Sequence, residues 1–216
     1  MIEFILVAGT YLLIGAVIEA LAWGWEALEK SGLKKRTEEW CKTLPLTEED
    51  KRLIESNREL MKEFFPDGIE ARFKGLALDR RVEIMKDLLE RANEIYGTEI
   101  KSVTFSPSSE VGDTTYGYYS FDSHSITINV DVLASEDANV LRAIVGTVFH
   151  ELRHAQQYKT ITDSNYAYGT EEQRRLWALN FIEGNYISPE IDYVLYQKQT
   201  VEADARQIAE HITVNF

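Results

Sequence analysis

The chain has a single cysteine, Cys41, among its 216 residues. No intrachain disulfide can form and no cysteine-rich zinc module can be built, and nothing around Cys41 resembles a site that activates a thiol. Proline (4) and glycine (12) are scarce, which excludes a collagen-like, low-complexity or wholly disordered chain. Basic side chains are in deficit: 23 Lys and Arg stand against 36 Asp and Glu, a formal net charge of −13. Such a surface repels phosphate backbones and anionic headgroups, so no nucleic-acid partner is expected. Internal repeats and low-complexity linkers are missing too. What is present is 44% hydrophobic residues, enough to build a core at a length that suits one domain, or one domain with an appendage.

Charge is also absent from Ile5 to Ile18, and Phe4 to Trp25 carries one acid, Glu19. That apolar run approaches the roughly 20 residues that span a bilayer. Trp23 and Trp25 suit an interface, and Lys30, Lys34, Lys35 and Arg36 put the following flank on the cytoplasmic side by the positive-inside rule. Three readings stay open for residues 4–25: a membrane anchor with the rest of the chain cytoplasmic, a docking or assembly helix of a soluble cytoplasmic protein, and a cleaved signal peptide ending near Ala20-Leu21-Ala22. Glu19 is costly in lipid, and Glu3 stands where a signal peptide is basic. Acids and bases balance over residues 1–36, so the negative charge belongs wholly to residues 37–216. The domain boundary is set there: an apolar N-terminal helix over 1–36, and a domain over 37–216.

Within that domain, Thr47-Glu48-Glu49-Asp50 predicts a capped helix through about Phe64, stopped by Pro66-Asp67-Gly68. Val82, Met85, Leu88, Leu89, Ala92 and Ile95 predict a second amphipathic helix, Asp79 to Tyr96, ended by Gly97. The pattern then turns to β: a short strand at 101–105, a polar loop at 106–114, and a hairpin of 115–121 with 125–132. Ile126, Ile128 and Val130 alternate with Thr127, Asn129 and Asp131, which predicts one buried and one wet face. His124 falls in the hairpin turn and is expected to be solvent-exposed. A long helix is expected from about Glu136 to Tyr158, then a loop over 160–170 and further helices. The class is α+β: helix-rich with a small, mostly antiparallel sheet over the long helix.

In that long helix stands His150-Glu151-Leu152-Arg153-His154. Residues four apart project from one helix face, one turn apart, so both imidazoles can bind one tetrahedral metal. Glu151 lies beside them, placed to exchange a proton with activated water without being a ligand. Val140, Leu141, Ile144, Val145 and Val148 make the preceding turns apolar and buried, where unpaired His and Glu are expensive. A third ligand is needed. On the C-terminal helix Glu202 shares a packing face with Ala205, Ile208 and Ala209, and a carboxylate on such a stripe calls for positive charge opposite, which a zinc ion supplies. Asp204 is the alternative ligand, although it projects about 200° away from Glu202. Arg206, His211, Tyr186, Tyr193 and Tyr196 are the candidates for stabilising an oxyanion.

His150-Glu151-x-x-His154 followed on a later helix by Glu202-x-x-Ala205 resembles the gluzincin metallopeptidases, in pattern nearest to the bacterial and phage minigluzincin-like proteins, including the ImmA/IrrE group. More loosely it is similar to the HtpX-type membrane peptidases, which place Asp where this chain has Arg206. The string from His150 to Gln157 adds to the likeness, which extends over roughly Val103 to Ile212. The resemblance implies a zincin fold and hydrolysis of a protein or peptide substrate at Zn2+, with His150, His154 and Glu202 as ligands and Glu151 as general base. Two other readings are carried beside it. One is a non-catalytic binding or structural protein on a zincin scaffold with a structural or degenerate metal site; the other is a hydrolase of non-peptide amides.

Overall fold

The computed structural model describes residues 43–182 and 185–216. The apolar stretch 4–25, the boundary at residue 36 and Cys41 lie outside those residues. Among the described residues no helix is long and apolar enough to cross a membrane.

Helix α1 (Glu48–Phe64) begins on the expected cap. The Thr47 hydroxyl accepts from the Asp50 N–H, and the Asp50 carboxylate accepts from the Thr47 N–H, so two orphan donors of the first turn are satisfied reciprocally. A five-residue helix α2 (Ile69–Phe73), not anticipated from the sequence, follows the Pro66-Asp67-Gly68 break. Helix α3 (Leu78–Tyr96) ends on Gly97 in the left-handed conformation at φ 64°, where a Cβ would be strained. The remaining elements are β1 (Ser102–Ser106), the helical turn α4 (Ser108–Val111), β2 (Gly117–Ser120), β3 (Ser125–Asn129), the helical turn α5 (Val130–Leu133), and helices α6 (Ala138–Thr162), α7 (Glu171–Phe181), α8 (Tyr193–Lys198) and α9 (Thr200–Thr213).

The described chain is thus mixed and helix-rich, with one small sheet. The sheet corrects the sequence expectation in three ways. Its order is β1-β3-β2 with β1 parallel and β2 antiparallel to β3, so it is mixed rather than mostly antiparallel. Strand β3 is central, and Ile126 to Asn129 are all buried instead of alternating between core and water. It also stops early. The Asn129 side-chain oxygen accepts from the Asp131 and Val132 N–H groups, and this cap turns Val130–Leu133 into helix.

Helix α6 is capped by Asp137, whose Oδ1 accepts from the Asn139 and Val140 N–H groups. It runs to Thr162, past the expected end near Tyr158, and shortens the loop that follows. Its first half buries Leu141, Ile144, Val145, Val148 and Phe149 in a core shared with α1, α2, α3, β3 and α9. In its second half every residue from Glu151 to Gln157 is buried, because β2, α7 and α9 pack around it. Buried polar side chains there need partners. Gly117 marks how near β2 comes: a Cβ at that position would meet the Thr127 carbonyl oxygen at 2.7 Å and Thr147 Cγ2, on α6, at 2.9 Å.

Candidate metal centre

The third ligand candidate comes to α6 through close packing of α9. Ala205 and Ala209 are small and buried, as are Val201, Ile208 and Ile212, and the helices approach closely enough to set Glu202 opposite the two histidines. His150 Nε2 and His154 Nε2 are 3.0 Å apart. Glu202 Oε2 lies 3.3 Å from His150 Nε2, and Glu202 Oε1 lies 3.4 Å from His154 Nε2. Four-coordinate zinc with bonds near 2.0–2.1 Å holds its ligand atoms about 3.3 Å apart. The three side chains therefore present donors at the spacing such an ion requires. Glu202 Oε2 is buried and accepts no hydrogen bond, an orphaned carboxylate oxygen that a cation at this point would satisfy. Two nitrogens and one carboxylate oxygen, with room beside them, are a donor set able to hold a metal ion with one position left open.

The electrostatics of the three are coupled. Burial works against charge on His154, but the Glu202 carboxylate outweighs it and moves the pKa up to about 9. Burial also works against an ionised Glu202, and the two histidines reverse that, holding the carboxyl well below its ordinary range. The polypeptide thus keeps a carboxylate in a dry site by placing proton- or metal-binding nitrogens against it.

Glu151 faces the sheet. The Tyr119 N–H on β2 donates to Glu151 Oε2 at 2.9 Å, and burial raises the Glu151 pKa although both histidines pull it down. Tyr119 is in turn bonded through its hydroxyl to His124 Nδ1 at 3.0 Å and packs edge-on against Phe121. His124 is therefore half-buried and bonded rather than solvent-exposed, with a positive φ of 51°.

A cavity of about 120 Å3 joins His150, Glu151, His154 and Glu202 to Tyr119, Tyr186 and Tyr196. It adjoins a cleft of about 1140 Å3 whose walls include Thr114 to Tyr118, His150, Glu151, Tyr193 and Arg206. Strand β2 is an edge of the sheet, and the Asn129 N–H to Tyr116 carbonyl bond fixes its alternation. Tyr118 and Ser120 turn their backbone groups to β3; Gly117 and Tyr119 turn theirs outward, where the Tyr119 N–H finds Glu151.

The other sequence candidates separate. Tyr186 is at the centre: its hydroxyl donates to Glu202 Oε1 at 2.8 Å. Burial, then the Glu202 carboxylate, push the Tyr186 and Tyr196 phenols far above their usual range, so both are donors at neutral pH. Tyr193 is exposed and its ring lies tilted against that of Tyr196. Arg206 lines the outer cleft and donates to the Gln197 carbonyl at 3.0 Å. His211 is exposed, does not line either cavity, and offers its backbone carbonyl to Arg58. Asp204, the alternative ligand, is turned away: it takes two bonds from Arg153, Nε to Oδ2 at 2.8 Å and Nη2 to Oδ1 at 3.0 Å.

Four contributors were invisible in the sequence. Gln157 bridges His154 and α9. Gln199 clamps Ile187 by accepting from its N–H at 2.9 Å and donating to its carbonyl at 2.8 Å, which fixes the loop bearing Tyr186. Buried Arg153 lies between the Tyr168 and Trp177 rings and binds Asp50 as well as Asp204. The backbone N–H of Tyr119 carries no sequence signal at all. The chain matches no family model, no curated protein and no solved structure.

Proposed function

We propose that this chain is a zinc-dependent metallopeptidase of gluzincin type on a zincin-like fold, with His150, His154 and Glu202 as the zinc ligands and Glu151 as general base. The observation that carries the reading is the convergence of the two Nε2 atoms and the Glu202 carboxylate at separations of 3.0–3.4 Å, beside a buried Glu151. Zinc bound there supplies Lewis acidity, which brings the ionisation of water into the neutral range and polarises a carbonyl.

The side chains supply the rest. Glu151 Oε2 is committed to the Tyr119 N–H, which leaves Oε1 to take a proton from the attacking water. Its raised pKa makes it a better proton acceptor than an ordinary carboxylate. Glu151 then returns that proton to the amide nitrogen as the C–N bond breaks, so one water is consumed and one acid and one amine terminus appear. Tyr196 brings a protonated hydroxyl to the same cavity, where charge develops on the carbonyl oxygen, while the Tyr186 hydroxyl is committed to Glu202.

A peptide substrate is favoured by the outer edge of β2. The outward-turned backbone of Gly117 lies in the cleft wall in extended geometry, and an extended peptide pairs with such an edge through its own amides. Elemental analysis of the purified full chain tests the metal reading: about one zinc per chain in the wild type, lost in Glu202→Ala. A wild type devoid of zinc after exposure to it at neutral pH contradicts the proposal.

A further inference from the structure

Gln157, one turn beyond His154 on α6, is fully buried, and both ends of its amide are engaged. Its Nε2 donates to Asp204 Oδ2 at 2.7 Å and to the Val201 carbonyl at 3.0 Å. Its Oε1 lies 3.0 Å from His154 Nδ1. A backbone carbonyl cannot donate, and a carboxylate that accepts two guanidinium N–H groups has no proton to offer. Turning the amide over would set its oxygen against both of these acceptors and its NH2 against the ring nitrogen. Arg153 holds Asp204 in place with its bidentate grip, so the amide has one orientation.

We infer that Gln157 is the positioning residue of the metal centre: its Oε1 accepts the Nδ1 proton of His154 and thereby turns the Nε2 lone pair towards His150 and Glu202. This rests on the reading of those three residues as metal ligands. The same amide also bonds the carbonyl of Val201, the residue before Glu202, so one side chain sets the ring of one ligand and the backbone register of another. Asp204, which sequence spacing offered as a ligand, acts instead through Gln157: its carboxylate decides which end of the amide faces the histidine. The order is Arg153, Asp204, Gln157, His154, and each step is a hydrogen bond whose direction the previous one dictates. Fixing the tautomer in this way raises the basicity of the ligating nitrogen and removes the disorder of a freely rotating ring.

Zinc affinity of the full chain, measured by competition with a chromophoric chelator, tests the inference with two substitutions. Gln157→Met keeps the length of the side chain and removes the acceptor; it is expected to weaken zinc binding about 10–100-fold. Gln157→Glu keeps an acceptor for the Nδ1 proton, though it sets a second carboxyl beside Asp204, and is expected to bind zinc more tightly than Gln157→Met. A role limited to docking α6 on α9 predicts the reverse order, because the glutamate disturbs that contact more. Wild-type affinity in Gln157→Met, or affinity in Gln157→Glu equal to or below that of Gln157→Met, overturns the inference alone. Failure of the wild type to bind zinc overturns the metal reading itself, and this inference with it. A measurement on the wild type needs no variant to fold: nitrogen-15 spectra of the zinc-loaded chain are expected to show His154 protonated at Nδ1, and a bare Nδ1 contradicts the inference.

Discussion

The backbone N–H of Tyr119 and the carboxylate of Glu151 meet at 2.9 Å, which ties the edge of the sheet to the proposed general base. Because the donor is main chain, its position depends on how closely β2 lies on α6, and Gly117 sets that distance. An added methyl at 117 has the Thr127 carbonyl oxygen and Thr147 Cγ2 inside contact distance, so the strand has to move outward. Gly117→Ala is therefore expected to lower the unfolding free energy by about 1–3 kcal/mol and to cut hydrolysis further than that loss explains, with zinc content unchanged. Urea unfolding and zinc analysis on the same sample check it; an unchanged stability contradicts the close approach.

Removing the proposed metal is expected to reverse the pH dependence of stability. In the metal-free chain His154 has a pKa raised from 6.5 to about 9, so it contributes stability that is full below 6.5 and disappears as pH rises through 9. Glu202 is depressed, so its contribution is present above 4.5 and is lost as pH falls through its lower folded value. Melting temperatures in excess chelator are expected to fall between pH 6.5 and 9. In excess zinc the same interval is expected to show a gain, because zinc displaces the Nε2 proton and gains affinity as that proton leaves. Parallel trends with and without zinc contradict the site.

Arg153 neutralises two buried carboxylates, Asp50 on α1 and Asp204 on α9. Removing one partner from a buried pair leaves charge without compensation. Arg153→Met is expected to cost about 3–5 kcal/mol of unfolding free energy, read from denaturant midpoints; a loss below about 1 kcal/mol contradicts a paired, desolvated network.

The Tyr186 hydroxyl is the hydrogen-bond donor that Glu202 Oε1 receives at 2.8 Å. Tyr186→Phe removes it while keeping the ring, and is expected to weaken zinc binding about tenfold. Retention of full affinity would show that the hydroxyl leaves the Glu202 carboxylate undisturbed.

Much of this was readable from local pattern. The apolar spacing of Leu141 to Val148, the four-residue step from His150 to His154, and a carboxylate on the small-residue stripe of Ala205 and Ala209 are properties of single helices, and they picked out the three side chains that converge. The Thr47 cap and the Gly97 stop are local in the same sense. What escaped depends on contacts between elements. The parallel pairing of β1 with β3 joins strands separated by β2, and no alternation in either strand encodes the direction. Val130 continued a strand pattern until the Asn129 side chain capped a helical turn. Asp204 read as a spare ligand because its partner, Arg153, lies 51 positions away. Gln157 sits inside the string that suggested a peptidase, yet its role appears only when α9 brings Asp204 and Val201 against it.

Peptide hydrolysis by the zinc-loaded full chain, compared with Glu151→Gln at equal zinc content, tests the central claim most directly. Digests of a complex peptide mixture read by mass spectrometry are expected to show new termini with the wild type. Glu151→Gln is expected to hold about one zinc and to cleave about 100- to 10,000-fold more slowly. A wild type that carries its zinc and cuts no peptide, or a Glu151→Gln chain that cuts as fast, would contradict the account.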